Sequence, residues 1–317
     1  MRVLIAGATG AIGIPLVRAL LAAGHQVTGL ARTPVADHAW VVGAELLTAD
    51  ILDRQALLAT VDGLRADAVV QQATALKKLP MRHRDLARTN QLRAQGTANL
   101  LAVARVVGAR RFVTQSMVYG YGFGDHGTRM LTERDRFAPS GRGAFQATLT
   151  ALRSTEQQTL GADGVEGIAL RYGVFYGPGA GLDATVDLLR RRRLAIPWNG
   201  GGVVSLVYVD DAAAATVSAL ERGRGGQAYN IVDDRPVVWG EYLEGVAEAF
   251  GTPPPRRVPG WVLRPFPYAH AMLTGTWRVA NRKARTELGW TPTAPTYREG
   301  IARARHALGR ADQHSSR

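Results

Sequence analysis

Glycines at positions 7, 10 and 13 follow directly on the apolar, β-prone run Val3-Leu4-Ile5-Ala6 and precede apolar residues at helical spacing, Ile14, Val17, Leu20 and Leu21. A strand, a glycine turn and a helix in that order make a pyrophosphate cradle. Gly7 permits the sharp turn, Gly10 lets backbone approach the phosphates, and Gly13 lets the helix pack closely on the strand, with the positive helix N-terminus facing the negative charge. Thr9, Ala11 and Ile12 complete the cradle. The expected chemistry is therefore dinucleotide binding. A second strand, Gln26 to Leu30, runs into Ala31-Arg32-Thr33, with no acid before Asp37. A carboxylate about 20 residues past the glycines would hold the ribose 2′-hydroxyl of NAD. Arg32 instead offers a planar fork to the 2′-phosphate of NADP, so NADP is the expected cofactor and NAD the alternative.

These groups need a scaffold, and the chain supplies one of alternating strands and helices. Leu46-Leu47-Thr48 and Ala68-Val69-Val70 read as further strands, and Asp53 as the N-cap of a helix reaching Val61. Arg111 to Ser116 and Val165 to Leu170 follow as strands five and six. Asp85 to Val107 reads as one long helix, and Ala144 to Leu160 as another. The fold class is α/β, a Rossmann-like doubly wound parallel sheet with a smaller C-terminal substrate lobe.

Composition narrows the function classes. The 317 residues contain no cysteine, which excludes disulfides, thiolate nucleophiles and zinc–cysteine sites, and the seven histidines are scattered without metal-ligand spacing. No apolar run approaches the roughly 20 residues of a membrane span, so a cytoplasmic protein with no membrane association is expected. The net charge of +13 comes mostly from arginine, since only Lys77, Lys78 and Lys283 are lysines. Those arginines are spread along the chain without interleaved aromatics, which argues for a solvated surface and against nucleic-acid binding. The loop from Leu76 to Arg84 is basic and is read as solvated.

The G-x-x-G-x-x-G spacing resembles the short-chain dehydrogenase/reductase superfamily, and later motifs resemble its extended branch, the NAD-dependent epimerase/dehydratase family, over about Met1 to Leu308. The resemblance implies that Asp50 and Ile51 border the adenine and that Gln72, Ala73 and Thr74 lie beside the cofactor ribose. It implies a homodimer through the helix at 85–107, and it matches Arg171 with the following Tyr176-Gly177-Pro178-Gly179 to the segment passing the nicotinamide. It divides the chain into a cofactor-binding domain at 1–172 and a substrate lobe at 173–308 interleaved with the last sheet strands; the polar tail at 309–317 is expected to be disordered.

In that lobe the pattern predicts a helix from Leu182 to Leu194 ending in four arginines and a strand from Val203 to Val209. Asp210-Asp211 are read as helix caps. Gln227 to Ile231 is a strand, Trp239 to Phe250 a helix, and Thr252 to Pro267 a pocket-lining loop with Trp261 and Phe266. A closing Leu288-Gly289-Trp290-Thr291-Pro292 turn follows.

The catalytic end departs from the resembled pattern. Ser116 best matches the hydroxyl that bonds the reacting oxygen, with Gln115 in its place if Tyr119 anchors the alignment, but the Tyr-x-x-x-Lys pair is missing. No tyrosine or lysine occurs between Arg129 and Arg171, and counting back from Glu156 puts Thr148 at the tyrosine's place and Leu152 at the lysine's. Leucine lowers no neighbour's pKa by charge, and threonine is a weak acid near neutral pH. The expectation is hydride transfer to a small carbonyl or hydroxyl compound with another proton donor, for which Tyr119, Tyr121 and Tyr176 are candidates. The alternatives are a non-redox cyclase, lyase or isomerase, and a nicotinamide-sensing regulator.

Overall fold

The computed structural model describes residues 1–35, 40–76, 79–139 and 145–315, with side chains to residue 308. Asp37, Lys77 and Lys78 lie outside the described residues. Six strands, β1 (Arg2–Ala6), β2 (Gln26–Ala31), β3 (Glu45–Thr48), β4 (Ala68–Gln71), β5 (Arg111–Met117) and β6 (Glu166–Tyr172), join the strand Gln227–Ile231 in one seven-stranded sheet. Its order is Gln227–Ile231, β6, β5, β4, β1, β2, β3, and every pairing is parallel. Parallel strands need long crossovers, most of them helical, and are covered on both faces, which is why β1 reads as an unbroken apolar run. Its alternate residues serve two cores. Val3 and Ile5 pack with Leu16 and Leu20 on one side, whereas Leu4 and Ala6 pack with Leu57 and Leu100 on the other.

The sheet reverses direction of winding between β1 and β4, and a crevice at the carboxyl ends of these strands is where such sheets bind ligands. The register brings the expected groups to that edge. Gly7 N donates to Leu30 O at 3.3 Å, and Gln72 N donates to Ala6 O at 2.9 Å. Ser116 pairs with Arg171 in the β5–β6 ladder.

The helices are α1 (Gly13–Ala22), α2 (Arg54–Thr60), α3 (Ala87–Gln91), α4 (Thr97–Val107), α5 (Gln146–Leu160), α6 (Leu182–Arg190) and α7 (Val209–Arg222), followed by Trp239–Ala249 and three more. Asp53 caps α2 as expected, accepting from Ala56 N at 3.1 Å. The long helix expected at 85–107 is not continuous. A 3-10 turn at His83–Leu86 leads into α3, and a π-helical turn at Leu92–Gly96 separates α3 from α4. The wide turn lays Gly96 on Ile51, whose Cδ1 would lie 2.9 Å from any Cβ at that position.

Other differences have local causes. The helix expected to reach Leu194 ends at Arg190, because Arg192 takes a left-handed φ of 53°. The strand expected at 203–209 is broken at Ser205, whose hydroxyl donates to Trp277 O and accepts from Val279 N, both at 3.0 Å. Asp211 does not cap α7. Its carboxylate accepts from Thr293 N, Thr293 Oγ1 and Ala294 N at 2.7–2.9 Å and so ties the closing turn to this helix. Trp261 and Phe266 are exposed. The last helix runs from Tyr297 to Ser315, continuing through residues where a disordered tail was expected.

Asp233 is buried just beyond Ile231, and desolvation, with Asp234 and Asp211 adding repulsion, pushes its carboxyl up to about 8. The folded state then holds a proton that the unfolded chain releases near pH 4, so stability present at low pH is lost as pH rises from about 4 to about 8. Asp233→Asn removes that loss. The variant is expected to match the wild type in urea midpoint only below about pH 4 and to exceed it by on the order of a few kcal/mol at pH 8.5.

Candidate active site

At the cofactor end, Gly7 has φ +86° and lies against the backbone of Ala73, whose nitrogen would be 2.6 Å from an added Cβ. A Cβ on Gly13 would run into Gly7 O and sit 2.5 Å from the Ala8 carbonyl carbon. Both positions therefore require glycine for space, and Gly7 for conformation as well. Thr9, Gly10 and Ala11 are exposed between them. Ile12, at the start of α1, caps none of the first-turn N–H groups with its side chain. Ile14 N donates to Gly10 O at 3.2 Å and Pro15 has no N–H, so it is the exposed glycine turn ahead of them, at the positive end of α1, that fits a pyrophosphate. A groove of about 490 Å³ opens next to this turn, with Arg18, Pro178 and Asp210 on its other sides.

Asp50 and Ile51 are fixed by neighbours. Asp50 accepts from Leu52 N at 3.0 Å and pairs with Arg88 at 2.8 Å, while Asn99 Nδ2 donates to Ile51 O at 2.9 Å. Gln72 is buried and donates to the Tyr172 hydroxyl at 3.0 Å, leaving its Oε1 without a partner among the described residues. Ala73 is half-buried, and Thr74 and Arg32 are exposed.

At the chemical end, Ser116 is fully buried and its Oγ has no hydrogen-bond partner among the described residues. Thr148 is buried on α5 and accepts from Asn90 Nδ2 at 3.4 Å; Asn90 Oδ1 in turn accepts from Arg93 Nη1 at 3.4 Å. Leu152, one turn along, has no exposed surface. Tyr119 packs edge-on to Trp277 at 5.4 Å and stacks on Phe123 at 5.8 Å. Burial, then the neighbouring Tyr268, push its hydroxyl well above the usual range, which makes it a poor proton donor near pH 7. Phe123 stacks on Phe145 at 3.9 Å, and His83 stands edge-on to Phe145 at 4.2 Å with its pKa lowered by burial.

Tyr121 and Tyr176 stand apart from Ser116 and Thr148 in their bonding. The Tyr121 hydroxyl donates to Asn230 Oδ1 at 2.8 Å and accepts from Arg171 Nη1 at 3.0 Å, and burial pushes it up to about 12. Tyr176 donates to Thr296 O at 3.3 Å inside a cluster with Tyr208 and Tyr242 in the C-terminal part of the chain. Arg171 is occupied too. It makes two hydrogen bonds to Glu156, at 2.9 and 2.7 Å, and lies over the Phe137 ring at 4.2 Å.

Sequence reasoning missed Arg93, His83 and the aromatic wall of Phe123, Phe145, Tyr268 and Trp277. For Arg93 a signal existed: it falls four residues after buried Thr89 and seven after buried Leu86, a charge on the apolar face of its helical pattern. The aromatics come from separate segments, and only the fold brings them together.

The NAD dependent epimerase/dehydratase family model matches residues 3–232. The chain belongs to that family. It is 38% identical, over 96% of its length and 100% of the relative's, to a 3-diazoavenalumate denitrifying reductase from Streptomyces sp. It is 29% identical, over 80% of the chain and 77% of the relative, to a 2-alkyl-3-oxoalkanoate reductase of Stenotrophomonas maltophilia. Among solved structures, a UDP-glucose 4-epimerase of Thermotoga maritima superposes with TM-score 0.80 over 98% of this chain and 99% of that one at 21% identity, a likeness of fold. The protein is an epimerase/dehydratase-like NAD(P)-dependent oxidoreductase. Among the described residues no helix is long and apolar enough to cross a membrane, and no group of three or more His, Asp or Glu side chains could hold a metal ion.

Proposed function

We propose that this protein is a reductase of small aromatic diazo compounds that prefers NADP, with residues 1–172 holding the dinucleotide and 173–308 enclosing the substrate. The observation that carries the reading is the pair Thr148 and Leu152, buried at the place the resembled pattern gives to a proton-donating tyrosine and its lysine. The bound dinucleotide supplies a hydride equivalent. Where the accepting carbon bears a diazonium group, the C–N bond breaks, N2 leaves and a C–H bond remains. No oxyanion forms, so no proton donor is needed. A ketone would leave an alkoxide, and neither Thr148 nor the raised hydroxyl of Tyr119 is suited to protonate one. The 38% identity to a denitrifying reductase supports the same reading.

Gly7, Thr9, Gly10, Ala11 and Gly13 would take the pyrophosphate, Asp50 and Ile51 the adenine side, and Gln72, Ala73 and Thr74 the ribose. Arg32, exposed just past β2 and in no ion pair among the described residues, suits the 2′-phosphate of NADP. Ser116 Oγ, buried and without a partner among the described residues, would orient the substrate through a hydrogen bond.

The test is NADPH oxidation by the purified protein with an arenediazonium acid, followed by N2 release and by deuterium transfer from 4-deuterated NADPH to the ring carbon, against a protein-free control. Ser116→Ala is expected to lower turnover about tenfold or more and to leave the thermal midpoint unchanged, because Ser116 Oγ has no partner to lose. Oxidation of NADPH by 3-oxo acids alone, with no N2 release from the diazonium compound, would replace this reading with carbonyl reduction.

A further inference from the structure

We propose that Arg93 is the anchor for a substrate carboxylate, so that the site takes a planar aromatic acid with its ring against the aromatic wall and its acid group on the guanidinium. The inference rests on the reading of Ser116, Thr148 and the neighbouring aromatic side chains as the substrate end of the site.

Arg93 is 7% exposed, and its one side-chain hydrogen bond among the described residues is the long contact to Asn90 Oδ1 at 3.4 Å. A guanidinium carries five N–H donors in a fixed fork. Among the described residues no carboxylate comes within ion-pair distance of it, and the groups that interact with it, Asn90, Tyr119 and Tyr268, are neutral. Arg171 shows the contrast. That residue is buried to the same degree, and both arms of Glu156 meet it.

A buried cation without an anion is costly, and proteins retain one where a ligand brings the missing charge. Desolvation lowers the Arg93 pKa to about 10, which leaves it charged at neutral pH and in want of a counter-ion. Its position is set by the π-helical turn, a local irregularity found often at functional sites. Through Asn90 it is one hydrogen-bonded step from Thr148. Tyr119 and Tyr268 bring it to the stacked rings of Phe123 and Phe145. Flat apolar walls beside a planar fork fit an aryl ring carrying a carboxylate.

The experiment is calorimetric titration of 4-hydroxycinnamate and of its neutral amide into the full chain, saturated with NADP⁺, for the wild type, Arg93→Gln and Arg93→Lys. The wild type is expected to bind the acid at least tenfold tighter than the amide. Arg93→Gln should bring the two within twofold, and Arg93→Lys should restore part of the preference. Arg93→Gln is also expected to melt no lower than the wild type, since it removes an uncompensated charge. Equal binding of acid and amide by the wild type, binding of neither, or a variant that loses stability yet keeps the preference would overturn the proposal. Acid-selective binding without reduction of a diazonium substrate would sink the reaction proposed above and leave the Arg93 anchor standing. Reduction without acid selectivity would do the reverse.

Discussion

Gly13→Val is expected to abolish measurable dinucleotide binding and to lower the thermal midpoint by several degrees. The new Cβ would collide with Gly7 O and with the Ala8 carbonyl carbon at 2.5 Å, and both belong to the backbone of the turn that joins β1 to α1. Backbone in the centre of a parallel sheet has nowhere to go, so relief must come from lifting α1 off β1. Overpacking of this kind costs about 1–3 kcal/mol and more where side chains cannot yield. Lifting α1 also moves the glycine turn and the helix N-terminus that would receive the phosphates, so affinity falls with stability. Gly10→Ala separates the two effects, because its Cβ would meet only Gly7 O at 3.2 Å. That variant is expected to fold with a thermal midpoint near the wild type and to bind NADPH about tenfold more weakly, a loss of ~1.4 kcal/mol. Fluorescence titration and thermal melts on the same samples check both. Wild-type affinity in Gly13→Val would sink the assignment of the cradle.

The scaffold was legible because it rests on short-range rules. Val3 to Ala6 is apolar throughout because both faces of β1 are covered, and Asp53 caps α2 by a contact three residues long. The glycine turn was legible for the same reason, with Gly7, Gly10 and Gly13 all meeting neighbours close in sequence or on the adjacent strand. The substrate end was less so. A π-helical turn leaves no mark in an apolar period, so Leu92 and Leu100 looked like one continuous face. Tyr119 and Tyr121 are two residues apart in a 3-10 turn and could not be told apart by type; the fold gives one the aromatic wall and the other Asn230 and Arg171. Tyr176 lies just past β6, but its hydroxyl reaches Thr296, a contact across 120 residues that no local pattern carries. Arg171 was read as facing the cofactor, and the partner that claims it, Glu156, was seen only as a spacing marker.

That pair carries the second large effect: Glu156→Ala is expected to destabilise the protein by about 3–5 kcal/mol, a large share of the 5–15 kcal/mol typical of a folded domain. The side chains of Arg171 and Glu156 are 9% and 6% exposed, so water cannot replace the lost carboxylate. Burial opposes the charge on Arg171, yet the hydrogen bonds and charge of Glu156 hold its pKa above the usual arginine value, a sign that the cation is compensated in place. Without Glu156 the guanidinium keeps, among the described residues, one hydrogen bond, to Tyr121, and the faces of Tyr121 and Phe137. Glu156→Gln should fall between the two, since an amide oxygen still accepts one N–H. The double variant Glu156→Gln, Arg171→Met should recover part of the loss, because removing both charges leaves none uncompensated. Urea midpoints of the three variants test this order. The consequence reaches the site through geometry: Arg171 pairs with Ser116 in the β5–β6 ladder, and Glu156 lies two turns along α5 from Thr148. The ion pair thus fixes the helix bearing Thr148 against the strand bearing Ser116. In Glu156→Gln, turnover is expected to drop more than NADPH affinity. The opposite split, with affinity lost and stability kept, would assign Arg171 to the dinucleotide.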